Sequence, residues 1–126
     1  MIPSWSVSID PLVYAEKPKV EYVKRVKVTA YSPTAKQTDK TPGITASNLR
    51  LKKQIHDKKV IALSRNLAKK FEYGSKFELV LDDKIYKVEF QDLMNPRFKN
   101  KVDLLIYDEK LAKEFGVKEG ILIRKD

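Results

Sequence analysis

An internal repeat constrains this chain more than any other feature. The octet from Ser64 to Phe71, SRNLAKKF, aligns without a gap with the octet from Asp108 to Phe115, DEKLAKEF, at an offset of 44 residues. An apolar, β-like run precedes each octet. Ser64 and Asp108 fall at N-cap positions, where a side-chain oxygen accepts an orphan backbone N–H. Leu67, Ala68 and Phe71 in one octet, and Leu111, Ala112 and Phe115 in the other, make one apolar face each. Gly74 and Gly116 help to end the two units. A strand-helix unit that recurs once predicts a barrel with internal pseudo-twofold symmetry.

The rest of the pattern is short strands. Runs from Arg25 to Tyr31, Lys59 to Leu63, Lys76 to Leu81, Ile85 to Gln91, Val102 to Tyr107 and Gly120 to Arg124 are each bounded by turn signals. Asp82-Asp83-Lys84 reads as a hairpin turn pairing the run that ends at Leu81 with the one that begins at Ile85. The expected fold class is therefore all-β: mainly β with two short helices, six strands and one core. A chain of 126 residues is near the common size of a single domain. Residues 1–24 differ, because Pro3, Pro11 and Pro18 leave no room for a long regular element. They read as an N-terminal arm or the remnant of an export signal. Val13-Tyr14-Ala15 faintly resembles a cleavage site, yet the stretch lacks a cationic start and Asp10-Pro11 interrupts its apolar part. The barrel domain is assigned to residues 25–126.

Composition removes several chemistries. The chain has no cysteine and one histidine, His56, so disulfide frameworks, thiolate metal sites and a serine-histidine triad lack material. No metal and no cofactor are expected, and any catalysis must rest on carboxylates. No apolar run approaches the roughly 20 residues that cross a bilayer, so stable membrane insertion is not expected. Twenty-six Lys and Arg against seventeen Asp and Glu give a formal charge of +9. That balance suits an anionic partner such as nucleic acid, a membrane surface or a cell-wall polymer, or else a lysine-rich solubility coat.

Two segments lack core patterning and are dense in hydrogen-bonding side chains: Tyr31 to Ser47 and Gln91 to Asp103. Hydroxyls and amides beside an aromatic ring suit sugar recognition, although the same residues build turns. Asp92 ends one strand and Asp103 begins the next, so a loop that folds back can bring the two carboxylates within a few ångströms. Leu104-Leu-Ile-Tyr107 follows Asp103, and partial desolvation there would raise its pKa and keep a transferable proton near neutral pH.

The ordered set Thr29-Ala-Tyr-Ser32, Gln37-Thr-Asp-Lys-Thr-Pro42, Thr45-Ala-Ser47, Val60-Ile-Ala-Leu-Ser64, Tyr73-Gly74, Asp92-Leu-Met-Asn95 and Asn100-Lys-Val-Asp103 resembles the 3D domain family, named for three aspartates. That family is similar to the catalytic barrel of membrane-bound lytic transglycosylase A and to stationary-phase survival proteins related to resuscitation factors. The resemblance implies a double-psi β-barrel. It also implies cleavage of the β-1,4 bond between N-acetylmuramic acid and N-acetylglucosamine of peptidoglycan, with a 1,6-anhydro product, outside the cytoplasm in the cell envelope or as a secreted protein. By motif, Asp103 is the acid/base residue and Asp92 its neighbour in the catalytic pair. Tyr31, Gln37, Thr38, Asp39, Thr41, Thr45, Ser64, Asn95 and Asn100 are the substrate-binding candidates. The chain departs from the family at Ser64, which stands where the first aspartate usually follows the strand.

Three functions follow. The first is a lytic transglycosylase acting on peptidoglycan glycan strands. The second is an expansin-like barrel that binds wall glycans without cleaving them. The third, a basic nucleic-acid module, is disfavoured by candidate sites rich in Thr, Gln and carboxylate rather than in phosphate contacts, so nucleic acid is not the expected partner.

Overall fold

The computed structural model describes residues 20–33 and 43–125. Along the chain lie β1 (Val20–Tyr31), α1 (Lys53–His56), β2 (Val60–Leu63), α2 (Arg65–Ala68), β3 (Lys76–Leu81), β4 (Lys84–Leu93), β5 (Lys101–Leu105), α3 (Glu109–Phe115) and β6 (Lys118–Lys125). The six strands close into a barrel in the order β1-β5-β2-β4-β3-β6. Closure pairs every strand on both sides and leaves no edge. Among the described residues no helix is long and apolar enough to cross a membrane.

The repeat seen in the sequence is a symmetry of the pairing. β1 lies parallel to β5 and antiparallel to β6; β4 lies parallel to β2 and antiparallel to β3. The remaining pairs, β2 with β5 and β3 with β6, are antiparallel. Exchanging β1-β2-β3 for β4-β5-β6 returns the same set of pairs, so a pseudo-twofold axis passes between β2 and β5 and between β3 and β6. The fold is the expected six-stranded double-psi barrel.

Local chemistry explains the joints. Leu81 pairs with Lys84, leaving Asp82 and Asp83 as a two-residue turn with φ of 51° and 63°. Positive φ at both central residues matches the right-handed twist of the hairpin, and Asp tolerates that conformation. At Gly120 the requirement is space. A Cβ there would lie 2.9 Å from Val28 Cγ2 and 3.0 Å from the Val80 carbonyl oxygen. Gly120 pairs with Val26 on β1 as Phe77 pairs with Val88 on β4. The twofold thus matches a ring in one half with bare backbone in the other.

Val26, Val28, Ile61, Leu63, Leu79, Leu104 and Leu122 fill the interior with almost no exposure. Burying each such side chain contributes about 1.5–3 kcal/mol before the entropy of ordering is set against it. β2 is buried at all four positions, because one face lines the interior and the other is covered by the segment from Gly43 to Lys58.

Three features differ from the sequence reading. β1 begins at Val20 rather than Arg25, because β6 continues to Lys125 and offers it a partner. Tyr22 there meets Phe71 edge-on at 5.0 Å, and Phe71 meets Phe77 at 4.9 Å. A third helix, α1, is a single turn without a buried residue and so leaves no amphipathic trace. Finally, Leu67 is 1% exposed but Leu111 is 49% exposed. Adjacent helical positions point about 100° apart, so a modest rotation of α3 turns Ala112 and Phe115 inward and Leu111 out.

Candidate functional site

One row of residues crosses four strands. Thr29 on β1 is paired with Asp103 on β5, Asp103 with Ala62 on β2, and Ala62 with Asp92 on β4. Their neighbours Val28, Val102, Leu104, Ile61 and Leu63 belong to the core. Side chains alternate along a strand, so the row faces away from it. This outer face has its own cover, in which Leu51, Val60 and Leu105 are buried together with Tyr31, Leu49 and Tyr107 packed against them.

Asp92 owes its direction to a bulge. Ile61 pairs with Phe90, but Ala62 pairs with Asp92, so Gln91 is the extra residue. Without it, strict alternation would put Asp92 on the same side as the buried Phe90. The bulge instead aims Asp92 outward, a usual role for such a defect. The cover segment is fastened there: Ser47 N–H donates to the Gln91 carbonyl at 3.1 Å. Ala46 N–H donates to Asp92 Oδ1 at 2.9 Å, as does Leu93 N–H. Tyr31 Oη donates to Asp92 Oδ2 in a long contact of 3.4 Å.

Asp103 accepts a hydrogen bond at Oδ1 from Thr29 Oγ1 at 2.9 Å. Burial pushes its carboxyl up to about 6; the Asp92 charge adds to this and the Thr29 hydrogen bond opposes it. The Asp103 proton is therefore held to a higher pH than that of a free aspartate. Burial, followed by the charges of Asp92 and Asp103, raises the Tyr31 hydroxyl well above its ordinary range, so Tyr31 stays a neutral donor.

The two aspartates are not on neighbouring strands, although their charges act on each other. β2 runs between them, which separates their backbones by two strand spacings, roughly 10 Å. The site candidates divide accordingly. Asp103, Asp92 and Tyr31 come together. Thr45 is 5% exposed; its hydroxyl accepts Leu49 N–H at 3.1 Å and shares a hydrogen bond with Ser47, so it shapes the cover. Ser64 is fully buried. It occupies the N-cap position of α2 as read, but its side chain makes no capping bond; instead it donates to Asn66 Oδ1 at 2.8 Å and accepts Lys101 N–H at 3.1 Å, and so joins β2 to β5. Asp108 does cap α3, accepting Leu111 N–H at 3.0 Å.

Asn95 and Asn100 are exposed and hold the β4–β5 loop. Asn95 accepts Arg97 N–H at 3.0 Å, and Asn100, with φ of 56°, accepts a bond from Asn66 Nδ2 at 2.8 Å. Gln37, Thr38, Asp39 and Thr41 lie outside the described residues. Thr29, the Gln91 bulge and the Ala46 N–H are not among the site candidates that the sequence supplied. Thr29 and Ala46 lie within the motifs quoted from the sequence, and Gln91 opens one of the two candidate segments, but nothing there singles them out. His56 uses Nδ1 to accept Lys52 N–H at 2.9 Å, and among the described residues no cluster of His, Asp and Glu gathers to hold a metal ion.

The sequence matches no protein-family model, and no curated protein matches it. Among solved structures, the Streptomyces papain inhibitor (SPI) is similar, with a TM-score of 0.55 and 16% identity over 84% of this chain and 96% of that one. Likeness at that identity concerns the barrel alone.

Proposed function

We propose that the chain is a peptidoglycan lytic transglycosylase in which Asp103 is both general acid and general base. The observation that carries the reading is geometric: Asp103, held by Thr29, shares the outer face of the barrel with Asp92, one strand between them, and burial there pushes its carboxyl up to about 6. Such a group holds a proton long enough to donate it and releases it readily enough to take one back. Neutral Asp103 gives its proton to the glycosidic oxygen as the bond to C1 breaks. The sugar's own C6 hydroxyl then closes on C1, and ionised Asp103 removes the proton of that hydroxyl. The proton count is restored and the product is a 1,6-anhydro sugar. A single carboxyl suffices, because no water has to be activated, unlike the inverting glycosidases that use two. Asp92 supplies negative charge that keeps Asp103 protonated at higher pH. The substrate places the protein outside the cytoplasm, and the +9 charge favours anionic wall material.

A second reading is a barrel that binds wall glycan without cleaving it. The structural neighbour, by name an inhibitor of papain, supports a barrel of this kind serving a role other than catalysis, without pointing to glycan. The test is mass spectrometry of peptidoglycan digested with the full chain and with Asp103→Asn. Anhydro-muropeptides, one water lighter than hydrolase products, are expected from the wild type and not from the variant. Cleavage by folded Asp103→Asn removes Asp103 from the mechanism, and no cleavage by the wild type leaves the binding reading.

A further inference from the structure

Thr29 does more than fill a strand position. In the parallel pair of β1 and β5 it lies beside Asp103, and its hydroxyl donates to Oδ1 at 2.9 Å. β-branching leaves a strand Thr few χ1 choices, so the direction of that hydroxyl is set by the backbone. A hydroxyl has a single proton to give. With Asp103 ionised that proton is given to Oδ1, and Oδ2 is the oxygen left without it. We propose that Thr29 is a positioning residue that holds the Asp103 carboxylate through Oδ1, leaves Oδ2 to exchange the transferable proton, and eases its departure.

The proposal rests on the acid/base reading of Asp103 and adds to it which oxygen reacts. Valine would serve the strand as well, and the next outward residue of β1, Tyr31, sends its hydroxyl to Asp92 rather than to Asp103. The hydroxyl is therefore what Thr29 contributes. Among the described residues, the groups near Asp103 are Thr29 and Tyr31 from β1, Ala62 from β2 and Asp92 from β4, with Tyr107 alongside Tyr31. Of these, the Asp92 charge holds the proton on, whereas the Thr29 hydrogen bond favours the ionised form.

The experiment follows the Asp103 carboxyl by carbon NMR across pH in the full chain, for wild type, Thr29→Val and Thr29→Ser, alongside the pH profile of anhydro-muropeptide release. Thr29→Val should raise the midpoint by about one pH unit and move the activity profile to higher pH with a lower maximum. Thr29→Ser should restore both, and thermal melts near pH 4.5, where Asp103 is neutral, should coincide. An unmoved or lowered midpoint in Thr29→Val, or a Thr29→Ser shift as large, overturns the proposal. If the wild type releases no anhydro product, the lytic reading fails and the NMR midpoints still decide the role of Thr29. If cleavage is present and the midpoints do not move, the Thr29 proposal alone fails.

Discussion

Replacing Asp103 by Asn should change how stability depends on pH, in a direction opposite to that of most carboxylates. The group titrates at 3.8 when free and at about 6 in the fold. A folded value above the unfolded one means that the native state binds the proton more tightly. The stabilisation is therefore complete below pH 3.8 and is lost as pH rises through 6. At about 1.4 kcal/mol per pH unit, the difference corresponds to about 3 kcal/mol of cost at pH 8 relative to pH 3.5. The amide of Asp103→Asn does not ionise, yet it keeps an oxygen as acceptor for Thr29. Urea unfolding midpoints at pH 4, 6 and 8, converted with a common m value, give the comparison. Titrating groups that do not interact with Asp103 act on both proteins and cancel in the difference; Asp92, whose charge helps to raise Asp103, adds to the gain in the same direction. The variant should gain on the wild type between pH 4 and 8, most steeply near pH 5, midway between the free and folded values, and less steeply beyond 6, by an amount on the order of 3 kcal/mol. A gap that stays constant across that range refutes the argument that Asp103 is desolvated.

Asp92→Asn keeps an acceptor for Ala46 N–H but removes the charge that helps to raise Asp103, so the Asp103 midpoint and the activity optimum should both move toward acid, read by NMR titration and by product release across pH. Gly120→Ala places a methyl group against Val28 and the Val80 carbonyl, and should lower the stability seen in chemical denaturation by about 1–3 kcal/mol. Leu67→Ala should cost about 2–5 kcal/mol in the same assay because Leu67 is enclosed, whereas the equivalent Leu111→Ala should cost less than about 1 kcal/mol. Binding to isolated cell walls should weaken from low to high salt if the +9 charge acts as an attractant; unchanged binding identifies a solubility coat.

Much of the barrel was legible because its signals are local. Asp82-Asp83 between alternating runs is a hairpin at any distance from the rest of the chain, and the strand from Lys76 to Leu81 has the limits read from its alternation. The two octets showed the symmetry before any pairing was known. The site was less legible because its decisive features are non-local. Gln91 is an ordinary strand residue in sequence, and it becomes a bulge only because Ile61 and Ala62 on β2 are matched to Phe90 and Asp92. The chain distance between Asp92 and Asp103 is short, yet β2 enters between their strands, and no periodicity in the β4–β5 loop announces that. Thr29 and Asp103, 74 residues apart, meet through parallel pairing, which has no turn to mark its register. Leu111 had the right spacing for burial, but the rotation of α3 was decided by what it packs on.

The strand order also has a consequence for biogenesis. β1 is finished at Tyr31, but both of its neighbours, β5 and β6, begin only at Lys101 and Lys118. During synthesis β1 therefore waits, with two unsatisfied flanks, until most of the chain has been made. Hairpin β3–β4 is the part able to form early, while every pair that assembles the Thr29–Asp103 contact closes a long loop at high entropic cost. Folding should be slow for a domain of this size, and the half-made chain should be a natural client for a holdase chaperone. The Thr29–Asp103 contact can then form only after β5 has been made.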